Sequence, residues 1–502
     1  MSIALSPIAL ALSPTTPAIA TPVGATIAVA NSNASRAAGL NYESHARAIL
    51  RDSEFEDANF ALLEMDELLE RQFVRARVGL YDLYMHRGTF SERRNAEKFQ
   101  TVCDTMLAQQ QAWLDWMAPA RKDLKTVFAD IELLREWVQD WSSTDLRRIE
   151  GGSVFDSMAK RGKKKDKYRA AAERLAEYMG KGGSLDLGRE AGRYEKLILG
   201  PTRESFVQLV CFAGMLRPEL QGIYWQPGIT NWTQSYVDDY KFVALQYTAP
   251  GTTLGSIGSG LEMNYASKTG LEQQVTQLAT NWMLSNYFGE RIPPSLAGGL
   301  AVNLVIDTYG RCETRVDGDL RERRTEAREV FVPGGNPNGG ILPPNSAESH
   351  WREGGGQNHF TKVLRKAQKS GSEKERRSKD KLRHFQLLDD NEVSRTVVHG
   401  PYLGTAAAAS EAPPASFYGD RLEFLRAYRS CFLNWLRTKG GGSGKTSSKK
   451  FAELLMEIAH SEDSSALEGT IAKAFKTDAL STEKLGTKDL EGRFLKWLSK
   501  QK

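Results

Sequence analysis

Between Leu62 and Trp141 apolar side chains recur at steps of three and four, and that period constrains this 502-residue chain more than any other feature. Residues three and four apart share one helix face, so each run can bury one stripe. The first stripe runs through Leu62, Met65, Leu69, Phe73, Ala76, Leu80 and Leu83. Thr89-Phe90-Ser91-Glu92 reads as a capping box opening a second helix, whose stripe is Phe99, Val102, Met106, Trp113 and Met117. Ala118-Pro119-Ala120 ends it, and a third stripe follows at Leu124, Val127, Ile131, Leu134, Val138 and Trp141. Three long helices with short connections predict an antiparallel bundle over 41–147.

The flanks differ in character. Residues 1–40 form a leader rich in Ala, Ser, Thr and Pro, uncharged as far as Arg36. Its apolar patch (Ile3 to Leu12) and its small-residue sites at Ala18-Ile19-Ala20 and Ala28-Val29-Ala30 are signal-like, but the basic n-region is missing. Export, or a disordered leader on a cytoplasmic protein, are the two readings. Residues 148–199 read as a basic, Gly-rich linker with one helix at Tyr168 to Met179. From 200 onward the pattern is mixed. Helices are expected at Ser205–Leu216, Gly270–Phe288 and Ser295–Tyr309, and strands at Gly222–Trp225, Tyr240–Tyr247 and Leu261–Tyr265. A long loop at 331–358, a linker at Ala406–Pro414 and a helical C-terminus interrupted at Gly440 to Gly444 complete it. The fold class is therefore α+β and predominantly helical.

Charge and cysteine usage exclude several functions. With 67 basic and 62 acidic residues the net charge is +5, too small a field for global nucleic-acid binding. Cys103, Cys211, Cys312 and Cys431 lie far apart, which excludes a zinc ribbon and leaves room for one or two isolated disulfides. No apolar run reaches the roughly 18 residues of a spanning helix. Gly444-Lys445-Thr446 lacks the earlier glycine of a phosphate loop, since position 439 is Lys. Segment 361–384 carries ten basic and three acidic residues, with Lys362, Arg365, Lys366 and Lys369 on one helical face. A solvated, salt-bridged helix is the expectation there.

One stretch carries more. Residues 271–304 read LEQQVTQLATNWMLSNYFGERIPPSLAGGLAVNL. The turn Tyr287-Phe288-Gly289, the approach Pro293-Pro294-Ser295-Leu296 and the start Gly299-Leu300-Ala301 resemble the active-site helix pair of gluzincin, or peptidase-MA-like, metallopeptidases. The strand at Lys241 to Tyr247 and the tail segments Phe417-Tyr418-Gly419, Phe451 to Leu455 and Leu490-Glu491-Gly492-Arg493-Phe494 extend the likeness over roughly 200–500, with 310–415 poorly matched. The resemblance implies a zincin-like small sheet followed by active-site-type helices. In that family H-E-x-x-H supplies two zinc ligands on one helix face and a general base, and the next helix supplies a third ligand. Zinc then lowers the pKa of its water from about 15.7 toward about 7.

Aligned on that frame, Gln277 and Asn281 stand at the histidine positions, Leu278 at the base and Gly298 at the third ligand. The resemblance thus implies a pseudoenzyme with no catalytic residue, no metal and no cofactor. Its vestigial cleft, lined by Gln277, Asn281 and Gly298 with Glu272 or Gln274 nearby, would hold a peptide or protein by strand addition. Two alternatives remain open. One is a hydrolase with relocated chemistry, at Asp307, Asp317 and Asp319 or at His350 and His359. The other is a weak nucleic-acid or anionic-surface binder using Lys160 to Lys167 and 361–384; nucleic acid is not the expected partner.

Overall fold

A computed structural model describes residues 42–50, 64–160, 165–189, 193–216, 233–237, 240–245, 270–312, 356–369, 427–462, 467–478 and 489–501. The expected leader, the strands at Gly222–Trp225 and Leu261–Tyr265, the linker at Ala406–Pro414 and nearly all of the 331–358 loop lie outside these residues. The fold is α+β and predominantly helical, with one mixed six-stranded sheet of order β3-β1-β2-β4-β6-β5. The strands are β1 (Phe73–Val78), β2 (Tyr81–His86), β3 (Gly152–Ser153), β4 (Glu195–Gly200), β5 (Thr233–Val237) and β6 (Tyr240–Ala244).

The first predicted helix is mostly a hairpin. A helix covers only Met65–Gln72, and the chain then runs antiparallel as β1 and β2, pairing Phe73 with His86 and Val78 with Tyr81. Two periods compete here. Val74, Ala76 and Val78 alternate with Arg75 and Arg77, which suits a half-buried strand of β-branched residues. Gly79 settles the competition. Its φ of 57° makes the turn, and a Cβ there would lie 2.0 Å from Gln110 Oε1. That amide clamps the turn, accepting from the Leu80 N–H (2.9 Å) and donating to the Val78 carbonyl (3.2 Å).

The other helices follow the periodic stripes closely. The long ones are α1 (Arg93–Met117), α2 (Lys125–Gln139), α3 (Lys165–Gly180), α4 (Arg203–Leu216), α5 (Gly270–Phe288), α6 (Pro294–Tyr309), α7 (Gln357–Lys369) and α8 (Gly444–His460). A further helix over 427–435 ends in a π turn at Leu436–Gly440. The expected capping box does not form. The α1 N-cap is Glu92 without a side-chain cap bond, and Asn95 Nδ2 instead ties Glu92 Oε2 to the Thr89 carbonyl (3.0 Å each).

The bundle, too, is corrected: α1 lies against β1, and α2 packs on α1 and α3 rather than closing a separate three-helix unit. Nor is 148–199 only a linker. Its Glu195–Gly200 segment is β4, parallel to both β2 and β6, so the sheet takes strands from each of the three stretches that composition separated.

The sheet has two unlike faces. Val74, Ala76, Leu83, Met85, Leu197 and Val243 point into the main core with α1, α5, α6 and α8. Phe73, Tyr84, Ile198 and Phe242 point the other way, under Met65–Gln72, Tyr42–Arg47 and α4, in a smaller core. All four cysteines are free and buried, so the disulfides left open by the sequence do not form. Among the described residues no helix is long and apolar enough to cross a membrane.

Candidate functional site

Helices α5 and α6 begin and end where the apolar pattern places them, joined by Gly289 at φ 55° and entered through Pro294 at the first turn of α6. They pack against each other and against α1. A polar seam threads the α1–α5 contact. The Tyr81 hydroxyl donates to the Ala279 carbonyl (2.8 Å) and lies 2.9 Å from the Gln109 amide oxygen. Gln109 Nε2 donates to Thr280 Oγ1 (3.2 Å), which donates onward to the Thr276 carbonyl (2.7 Å). These groups are fully enclosed, and pairing of this kind is what makes buried polar atoms tolerable.

The four cleft positions sit in this dense region. Gln277 is 0 % exposed, Leu278 belongs to the main core, Asn281 is half-buried and Gly298 is buried. Gln274 is fully buried and Glu272 half-buried. The helix over 427–440 lies directly on the start of α6: a Cβ on Gly299 would meet Leu433 Cδ1 at 2.8 Å and Arg429 Cβ at 3.3 Å. One turn on, Asn303 Nδ2 donates to the Ser430 carbonyl (3.0 Å), while Asn303 Oδ1 accepts from Gln357 Nε2 (2.5 Å). Arg429 and Leu433 therefore fill the space beside Gly299. An amide, an alkyl chain and a glycine supply no thiolate, imidazole or carboxylate, so these positions do not fit zinc.

The alternative chemical groups fare differently. Asp307 accepts from Trp116 Nε1 (2.7 Å) and pairs with Arg437 (2.7 Å), which holds it as a structural link between α6, α1 and the 427–440 helix. Asp317, Asp319 and His350 lie outside the described residues; His359 stands on α7 with its ring edge toward Phe360. Gly444 opens α8 after a helix rather than a strand, and Ser443 Oγ caps it by accepting from the Thr446 N–H (3.3 Å). Lys362 is exposed on α7 while Phe360 and Leu364 enter the core, as a solvated amphipathic helix requires. A polar cleft of about 80 Å³ between α1 and α4 is lined by His86, Glu92, Asn95, Thr202, Glu204 and Ser205.

Sequence reasoning missed an ionic cluster on the outer sheet face. Asp82, 1 % exposed, takes Arg75 through two bonds (2.5 and 2.6 Å), Arg77 (3.0 Å) and the Tyr84 hydroxyl (3.2 Å). Arg77 stacks over Tyr194 at 3.9 Å and Lys196 over Tyr240 at 4.5 Å, and the Tyr240 hydroxyl donates to Asp66. The bond to Asp82 strengthens the Arg75 hold on its proton, and burial pushes the Tyr84 and Tyr240 phenols upward. The only available signal was the alternation of charge along β1.

One end of the described sheet is β5. Among the described strands β5 pairs with β6 alone, antiparallel, with a bulge between Ser235 and Val237. No family model matches this chain, and no curated protein or solved structure matches it.

Proposed function

We propose that this chain is a catalytically silent binding or scaffolding protein on the peptidase-MA-like plan, taking an extended peptide along the edge of β5 that no described strand pairs. The observation that carries the reading is the packing of the positions that would do the chemistry. A catalytic zinc needs three protein ligands and one open coordination position for water. Here Gln277 is wholly enclosed, Leu278 is core, and Arg429 and Leu433 cover the start of α6. The edge of β5 supports the binding half, because a strand edge without a partner among the described strands offers alternate N–H and C=O groups to an added one.

Restoring the family residues tests it. With Arg429→Ala and Leu433→Ala to clear the start of α6, the variant Gln277→His, Leu278→Glu, Asn281→His, Gly298→Glu is expected to take up about one zinc per folded chain, since the spacing returns two imidazoles to one face. The parent chain is expected to hold none. Stoichiometric zinc in the parent would sink the silent reading. A folded variant without zinc would sink the alignment with the peptidase frame.

A further inference from the structure

A lysine drawn out of water without a carboxylate to meet it is chemically unlike the lysines of an open surface. Lys98 on α1 is such a residue. Its side chain is half-buried, and Nζ donates to the Pro201 carbonyl (2.6 Å), its one hydrogen bond among the described residues. No described carboxylate pairs with it. Glu97, its neighbour along the helix, is taken by Arg93 (2.8 Å). Arg94 precedes Lys98 by four residues and so shares its helix face, exposed and likewise without a described carboxylate partner. Burial, then Arg94, weaken the Lys98 hold on its proton.

The amine stands beside the polar cleft between α1 and α4. Asn95, three residues before Lys98 on the same face of α1, lines that cleft, and so does Thr202, which follows the carbonyl that Lys98 holds. A tether to Pro201 accounts for one of the three N–H donors. It does not account for a cation, since an amide or hydroxyl makes the same bond at a smaller desolvation cost. The cleft wall carries the Glu92 and Glu204 carboxylates and the paired Thr202 and Ser205 hydroxyls (2.9 Å). Asn95, 2 % exposed, uses Nδ2 on the Thr89 carbonyl and Glu92, which leaves Oδ1 without a donor among the described residues. The space is about 80 Å³, room for two or three water-sized groups at about 30 Å³ each.

We propose that Lys98 is a nucleophilic amine that holds a small aldehyde covalently, as a Schiff base, at the edge of this cleft. Withdrawal from water beside a second cation is the setting that makes a lysine amine reactive near neutral pH. The neutral Nζ attacks the carbonyl carbon and forms a C–N bond, while one amine proton passes to the oxygen. The carbinolamine then releases its hydroxyl and the second amine proton as water, leaving C=N. One amine and one aldehyde thus give one imine and one water. Glu92 and Glu204 are the carboxylates on the cleft wall that would pass those protons. The step is reversible binding rather than turnover. The site is separate from α5 positions 277 to 281 and from the β5 edge, so it stands whether or not the peptidase-like reading does.

The test is reductive trapping on the full chain. Propanal and cyanoborohydride near neutral pH convert any imine to a stable secondary amine, and peptide mapping by mass spectrometry reads each lysine. Lys98 is expected to be trapped several-fold faster than the exposed Lys122 and Lys362, and its rate to level off at a lower pH than theirs. Arg94→Gln, at an exposed position, is expected to keep the parent Tm, slow the trapping of Lys98 and move its pH profile upward. 2-Naphthaldehyde, too large for the cleft, is expected to trap Lys98 no faster than Lys122. Propanal trapping of Lys98 at the Lys122 rate or below overturns the proposal, as does a pH profile coincident with that of Lys122. An unchanged rate in the Arg94→Gln variant, or fast trapping by 2-naphthaldehyde, overturns it equally, because the amine would then owe nothing to its neighbour or to the cleft.

Discussion

The two faces of the sheet handle polar groups in opposite ways. On the inner face they are neutral, fully enclosed and fixed by shape: Gln110 clamps the Gly79 turn, and Tyr81 bridges to Gln109 and Ala279. On the outer face they are charged and half in water. Arg75 and Arg77 keep 40 % and 39 % of their side-chain surface exposed above Asp82, which keeps 2 %. A buried amide bond is lost outright when its geometry fails, because no water replaces it. An exposed guanidinium rehydrates when its partner leaves. The inner face should therefore be intolerant of shape changes and indifferent to salt, and the outer face the reverse.

The sharpest break is expected at Gly79. Gly79→Ala puts a side chain at positive φ and displaces Gln110, which strips partners from the Leu80 N–H and the Val78 carbonyl. The left-handed strain and the orphaned groups together cost about 3 kcal/mol in urea unfolding. Asp82→Ala is expected to cost about 2 kcal/mol, below the usual figure for breaking a buried pair because both arginines reach solvent. Raising the salt from low to about 1 M should shrink that loss and leave the Gly79 loss unchanged. Equal salt responses would erase the contrast between the faces. Tyr81→Phe removes one hydroxyl from the inner seam and is expected to cost about 1 kcal/mol.

The same contrast explains what could be read in advance. Helices α1, α2, α5 and α6 bury residues in register with a local period, so Phe99, Val102 and Met106, or the run from Leu300 to Val305, announce them. The hairpin was hidden because Leu69, Phe73, Ala76, Leu80 and Leu83 satisfy a helical spacing by coincidence while Val74, Ala76 and Val78 satisfy a strand. Gly79 makes the turn, but the Gln110 amide that clamps it comes from thirty residues away, and no local pattern contains it. β4 escaped for a related reason: Glu195–Gly200 is short and apolar, and its neighbours β2 and β6 are both distant in sequence. The cleft positions on α5 were legible as a place but not as an environment, since Arg429 and Leu433 arrive from a helix more than a hundred residues on.

Cysteine chemistry offers the finest probe of the two sides. Cys103 and Cys431 lie in the main core, Cys211 in the smaller outer one. Burial pushes the Cys211 and Cys431 thiols up to about 12, and the Cys103 thiol up as well. A thiol whose folded pKa is raised stays protonated after its unfolded counterpart, near 8.5, has ionised. The stability it preserves is full below about 8.5 and falls as pH rises toward 12, by up to about 1.4 kcal/mol per pH unit for each such thiol. Urea midpoints should therefore hold steady from neutral pH to about 8.5 and then decline, and replacing Cys103 and Cys431 by Ala should flatten the decline. Alkylation of the native chain adds the local comparison. A small core opens at lower free energy than a large one, so mass spectrometry should find Cys211 modified before Cys103. Simultaneous modification of the two would mean that both sides of the sheet open only together, as one cooperative unit.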